Sequence, residues 1–291
     1  MDIIKSVFDT AEKFMGDPKH VLIDKSMLMN LAHAMEEKGI TKFPNELNME
    51  EVNLEDEVKL ELLASSINYC YWYGKSDVRP NNASSSLMYE LLGQTYANCP
   101  RMLFNEKNVD RIFTFNFAKS LSVNRFPLIE ERVKHLMETA FVFDSVVGDI
   151  IEEGGKDAKF IVNLIVESLP GFASDIFLKR ASLFCMQLNR KFGWYKDTIN
   201  ELPIPADYQV PKMLEFYGGI IYSEKLSRLI MDGELIPKGS LMECEIRAAT
   251  IIACRTISNW IGWTSQQIDS WLWLRRKECD RPFHLTITTD Y

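Results

Sequence analysis

No glycine-rich phosphate loop, H-E-x-x-H, G-x-S-x-G or G-x-G-x-x-G occurs in the 291 residues. Each motif carries a specific chemistry, so their absence sets aside P-loop kinases, zinc hydrolases, nucleophile-elbow serine hydrolases and dinucleotide enzymes. The six cysteines (Cys70, Cys99, Cys185, Cys244, Cys254 and Cys279) are scattered with no C-x-x-C pair, which reads as reduced, mostly buried thiols and offers zinc no ligand set. Histidine is scarce, at four residues. A positive surplus is lacking too: 33 Lys and Arg face 41 Asp and Glu, for a net charge of -8. Duplex-binding surfaces depend on many Lys and Arg contacts to phosphates, so a nucleic-acid polymer is not the expected partner, while a basic pocket for one phosphate remains compatible. No apolar run reaches the length of a membrane span, and Met1-Asp2-Ile3-Ile4-Lys5 does not open a basic-then-apolar leader; a cytoplasmic protein without membrane contact is expected. Gly/Ser linkers, low-complexity tracts and internal repeats are absent, and one unit over 1–291 is expected.

What the chain does have is helical periodicity. Apolar residues recur at helical spacing over 22–35, with Gly39 as a stop, and again over 57–72. Asn105-Glu106-Lys107-Asn108 reads as a cap ahead of a helix over 109–117, and Pro127 suits the first turn before a helix over 128–143. Further helices are expected over 157–169, 176–192, 210–217, 223–231 and 241–260, with Pro170-Gly171 and Gly218-Gly219 as breaks. Only 284–289 alternates like a strand. The fold class that follows is all-α, a compact set of many helices with little or no sheet.

Prolines frame the segment best suited to aim a side chain. Leu202-Pro203-Ile204-Pro205 runs into Ala206-Asp207-Tyr208-Gln209-Val210-Pro211. Proline fixes its own φ and lacks a backbone donor, so an ordered, non-helical connection is expected to present the Asp207 carboxylate. The plainer reading is an acid in a surface turn. Asn68-Tyr69-Cys70-Tyr71-Trp72-Tyr73 is dense in aromatics, which either pack a core or stack on a nucleobase. Lys179-Arg180 interrupts an apolar helix; such a pair snorkels to solvent or turns one cation toward an anionic group. Glu243 and Arg247, one turn apart, read as a helix-surface ion pair, and His284 reads as structural. Leu169-Pro170-Gly171-Phe172 is similar to the hairpin of helix-hairpin-helix DNA glycosylases but lacks its second glycine, since Ala173 follows; a helix stop is expected there.

Together these segments resemble the queuosine salvage proteins, the queuosine 5′-phosphate N-glycohydrolases. Four more blocks carry the resemblance: Phe126-Pro127-Leu128-Ile129-Glu130-Glu131-Arg132, Leu164-Ile165-Val166-Glu167-Ser168-Leu169-Pro170, Trp271-Leu272-Trp273, and the tail from Pro282-Phe283-His284 to Tyr291. The blocks come in the family's order. The chain departs from the family pattern at Pro205, at Gln187 in place of an acid, at Gln209 in place of an arginine, and over 78–86.

The resemblance implies an all-helical fold akin to DNA glycosylases. It implies hydrolysis of the bond between a 7-deazaguanine base and ribose 5-phosphate, releasing queuine for reuse in tRNA, on a small nucleotide and with no metal or organic cofactor. It also implies that Asp207 is the essential aspartate and Lys179 an active-site lysine. Cleavage builds positive charge on the sugar and negative charge on the base, so a carboxylate below the anomeric carbon can stabilise the sugar, activate a water or attack directly. Lys179 or Arg247 is expected to neutralise the 5′-phosphate, and Trp72 with Tyr69 or Tyr71 to stack on the base. Asn68, Tyr208 and His284 complete the expected substrate-binding set. Two other readings stay open at this point: an enzyme of the same fold acting on a different nucleotide or on a modified base in DNA or RNA, and a helical binding protein whose pocket serves a partner.

Overall fold

The computed structural model describes residues 2–43, 52–74, 83–98, 107–153 and 156–291. Cys99, the Asn105-Glu106 half of the expected cap and residues 78–82 of the polar stretch lie outside them. Among the described residues the helices are α1 (Ile3–Met15), α2 (Lys25–Lys38), α3 (Leu54–Ser66), α4 (Ser85–Ala97), α5 (Lys107–Val123), α6 (Ile129–Phe141) and α7 (Phe143–Glu152). They continue with α8 (Ala158–Ser168), α9 (Pro170–Ala173), α10 (Lys179–Phe192), α11 (Gln209–Phe216), α12 (Glu224–Met231), α13 (Leu241–Ile261) and α14 (Ser265–Leu274). Capping side chains explain many of the starts. Asp24, Asp157, Ser240 and Thr264 each accept a backbone N–H of the first turn, a contribution of about 1 kcal/mol apiece.

Two helices organise the packing. α13 lies against α1, α2, α11 and α14, and its first half is enclosed so fully that even the charged residues Glu243, Glu245 and Arg247 are buried. The surface ion pair expected of Glu243 and Arg247 is therefore an interior one, 3.5 Å apart. α10 packs against α3 and α8, and α3 in turn against α6 and α7. Lys179 and Arg180, at the start of α10, both point inward, so neither snorkels.

Tertiary context overrides the apolar pattern at three places. Leu22 and Ile23 belong to a short strand, β1 (Val21–Ile23), paired antiparallel with β2 (Ile220–Tyr222). The helix expected through residue 72 ends at Ser66, because a buried guanidinium captures the carbonyls beyond it. Arg132 donates to the carbonyl oxygens of Tyr69 and Cys70 (2.6 Å each), of Pro127 (2.7 Å), and of Ile67. Four charge-assisted bonds of roughly 1.5–3 kcal/mol offset a desolvation cost of several kcal/mol for the buried cation. The expected strand over 284–289 is an extended tail with a single bridge, Leu235 to Leu285. Thr286 and Thr288 are buried while Ile287 is only half-buried, so the apolar alternation does not match the buried side of the tail. Its end is tied back by the Cys70 N–H, which donates to the Tyr291 carbonyl at 2.9 Å.

Pro170 and Gly171 open the single turn α9 just after α8 ends, and close packing explains the glycine. A Cβ on Gly171 would lie 2.8 Å from Cδ2 of the His135 ring. Its carbonyl also accepts from buried Arg180, as does that of Ser66, so this turn anchors the start of α10.

Candidate active site

Asp207 is placed by its own capping chemistry. Its Oδ1 accepts the backbone N–H of Gln209 (2.7 Å) and Val210 (3.0 Å), the first turn of α11, while its own N–H donates to the Pro205 carbonyl (2.8 Å). Both oxygens of a carboxylate can accept. Oδ2 has no hydrogen-bond partner among the described residues, and Asp207 lines a cavity with an empty volume of about 550 Å³.

Three elements bring the remaining groups to that cavity. Along α10, Lys179, Leu183, Gln187 and Arg190 recur at intervals of four, four and three residues and so share one face. On α14, Asp269 and Trp273 are one turn apart. The loop after α3 supplies Asn68, Tyr69 and Tyr71. Phe43, Tyr208 and Tyr291 close the wall. Phe43 and Trp273 lie ring to ring at 4.8 Å.

The electrostatics centre on four charged groups. Lys179 Nζ donates to the Asn68 carbonyl (3.1 Å), and burial lowers its pKa to about 8 against the opposing attraction of Asp207. Burial likewise raises the pKa of Asp207, although Lys179 and the two backbone donors pull the other way. Asp269 pairs with Arg190 at 3.2 Å, yet burial, with Asp207 nearby, raises its pKa to about 6. The Tyr69 phenol is pushed up to about 12 by burial, so it keeps its proton, and its hydroxyl is buried with no hydrogen-bond partner among the described residues.

A buried ion pair fixes these parts relative to one another. Arg247 binds Asp175 through two 2.8 Å bonds and donates from Nε to the Ala206 carbonyl at 3.0 Å. Asp175 in turn accepts the backbone N–H of Phe177 (3.0 Å) and of Lys179 (2.8 Å). One guanidinium thus ties the residue before Asp207 to the start of the helix that carries Lys179. Leu178 adopts a left-handed conformation (φ 53, ψ 36) at that junction, a geometry that ordinary side chains adopt only when the surroundings impose it.

The expected site residues divide into two groups. Asp207, Lys179, Asn68, Tyr69, Tyr71 and Tyr208 share the cavity wall. Arg247, Trp72 and His284 are not on it. Arg247 is the strut between Asp175 and Ala206. Trp72 packs edge-on behind Tyr208, ring centroids 4.3 Å apart, and also against Phe283 at 5.3 Å. His284 lies 3.2 Å from the Tyr291 hydroxyl through Nε2, and burial depresses its pKa to about 3, so it is neutral and supports a wall residue. Sequence reasoning does not single out Asp175, Asp269 or Arg190. Helical phasing from Lys179 would have found Arg190, and phasing from Trp273 would have found Asp269; nothing local marks Asp175. Among the described residues no cluster of His, Cys, Asp and Glu has the arrangement of a metal site.

Comparison with known proteins agrees with this architecture. A queuosine 5′-phosphate N-glycosylase/hydrolase of Sphaerobacter thermophilus is 26% identical, covering 98% of this chain and 97% of its own. One from Dictyostelium discoideum is 27% identical over 84% of this chain and 81% of its own. The fold is similar to that of an 8-oxoguanine DNA glycosylase from Pyrobaculum aerophilum, solved with 8-oxoguanosine (TM-score 0.50, 15% identity, 94% of this chain and 88% of that one). The match to the queuosine salvage proteins runs over residues 47–290, and the chain belongs to that family.

Proposed function

We propose that the protein hydrolyses the N-glycosidic bond of queuosine 5′-phosphate, with Asp207 as the central carboxylate. The observation that carries this is the division of labour at Asp207: Oδ1 is held by two backbone donors while Oδ2 is left for the cavity, beside a lysine and aromatic walls. A capping aspartate alone would need neither the buried lysine nor the cavity. The curated relatives share this activity by name, and their alignments cover nearly the whole chain in one case and most of it in another.

In the reaction the bond from C1′ to the base nitrogen breaks and its electron pair leaves with the base. Water supplies OH to C1′ and a proton to the base, giving ribose 5-phosphate and queuine. Asp207 faces the positive charge that develops on the sugar, where a preorganised carboxylate in a dry site is worth most. Lys179 is its counter-ion and opposes the burial that raises the pKa of Asp207. Asp269, whose pKa burial raises to about 6, and the Tyr69 hydroxyl both line the cavity, and in this reading they hydrogen-bond the departing base. Tyr71, Tyr208 and the Phe43–Trp273 pair supply flat walls that fix its orientation.

The test is to incubate the full chain with queuosine 5′-phosphate and, separately, with a duplex carrying 8-oxoguanine, and to measure free base by mass spectrometry. Queuine from the nucleotide, with the duplex left intact, supports the proposal. Base released from the duplex alone overturns it.

A further inference from the structure

A buried chain of polar contacts runs from α3 to the catalytic cavity and reaches it at Gln187. It starts at the ion pair of Lys191 with Glu61, 3.1 Å apart, whose side chains are both almost wholly buried. A carboxylate in such a pair only accepts, and Glu61 accepts the hydroxyl of buried Tyr89 at 2.9 Å. With its proton given to Glu61, the phenol oxygen acts toward the cavity as an acceptor. Gln187 Nε2 donates to it at 3.5 Å. On the other side of the amide stands Arg190, which only donates, and its Nη1 reaches Gln187 Oε1 at 3.3 Å. Arg190 is itself held by Asp269 (3.2 Å) and the Ser270 hydroxyl (3.4 Å).

The two bonds to Gln187 are long, so their direction matters more than their strength. Turning the amide over would set its oxygen against an acceptor and its N–H groups against a donor, and buried groups would go without partners. Glu61 on α3 and Tyr89 on α4 therefore decide which end of a cavity-wall amide is which. An amide has two N–H donors and two oxygen lone pairs, so one donor and one acceptor remain after these contacts, and Gln187 lines the cavity. A base with a carbonyl at C6 and N–H at N1 offers an acceptor and then a donor along its edge. A base with an amino group at C6 and a bare N1 offers the reverse order. A base whose glycosidic bond is held at Asp207 is not able to turn end for end to compensate. We infer that Gln187 is a specificity-determining residue that selects 6-oxo over 6-amino bases, and that Tyr89 and Glu61 are positioning residues acting through it. Against the wrong base the fixed donor and acceptor are left unpaired, which is the source of the rejection. This rests on the nucleotide reading under the proposed function.

The test uses the full chain and two nucleotides that differ only at this edge, 7-deazainosine 5′-phosphate and 7-deazaadenosine 5′-phosphate. Titration calorimetry reads the Kd of each for the wild type, Tyr89→Phe and Gln187→Met. The wild type should bind the 6-oxo nucleotide about ten-fold more tightly. In both variants that ratio should fall by about five- to ten-fold, the size of one neutral hydrogen bond. Tyr89→Phe removes a single oxygen and Gln187→Met keeps the volume, so either one carries the test if the other fails to fold. A merely structural role would raise both Kd values together and leave the ratio unchanged. That result overturns the inference, as does a wild type that binds neither nucleotide or shows no preference. Queuine release from queuosine 5′-phosphate is read separately. A preference that Tyr89→Phe loses, in a protein that releases no queuine, would keep the base reader and remove the hydrolase reading. Queuine release with an unchanged ratio would do the reverse.

Discussion

In the proposed reaction Asp207 and Lys179 act as one unit, with Asp207 ionised and Lys179 protonated as its counter-ion, so their charge state would set the working pH. Because burial lowers Lys179 to about 8, kcat/KM should fall as pH rises through about 8, and Lys179→Arg, which does not titrate in that range, should carry the plateau to higher pH. Stability moves in the opposite direction. Below about pH 8 both folded and unfolded chains hold this proton. Between about 8 and the ordinary lysine value of 10.5 the folded state has released it and the unfolded state has not, so stability rises with pH. Chemical denaturation of wild type and Lys179→Met at pH 8 and pH 10 should therefore show the difference shifting in favour of the wild type by on the order of 2 kcal/mol. Activity lost above pH 8 while stability climbs would separate titration from unfolding; activity and stability falling together would contradict this assignment.

Between elements, the Arg247–Asp175 pair carries the geometry. It joins α13, the start of α10 and the turn before α11, and Asp175 is held ionised by Arg247 and two backbone donors despite complete burial. Removing one partner leaves a buried charge without compensation, so Arg247→Met should cost about 3–5 kcal/mol in denaturant unfolding. A loss under 1 kcal/mol would show that the pair is no strut between these elements. Arg132 plays a comparable part for the loop after α3 by holding the carbonyls of Ile67, Tyr69 and Cys70. These interior cations explain where helical periodicity stops being a guide. Over 57–72 the apolar spacing continues past Ser66, but Arg132 draws the backbone out of the helix, and that partner lies sixty or more residues away in sequence. Apolar spacing does place α8, α10, α11, α12 and α13 to within a few residues, because each buries one broad face. It gave no sign of α1, α4, α7 or α14, and the β1–β2 pairing depends on contacts that no local window contains.

For the molecule as a whole, the fold reads through helix order and the site only in part. Six of the nine residues expected from the sequence share a cavity: capping places Asp207, the start of α10 places Lys179, and Arg132 holds the loop that carries Asn68, Tyr69 and Tyr71; Arg247, Trp72 and His284 are conspicuous by type but support the wall from behind. With 33 Lys and Arg against 41 Asp and Glu, the molecule lacks the positive surplus that a duplex backbone calls for. The most direct test of the central claim is the single-turnover rate of queuine release from queuosine 5′-phosphate by the wild type and by Asp207→Asn. Asparagine can still accept the Gln209 and Val210 N–H groups, so the variant should fold normally. The expected result is a rate lower by roughly two to four orders of magnitude with an unchanged unfolding midpoint. A folded Asp207→Asn protein that releases queuine as fast as the wild type would contradict it.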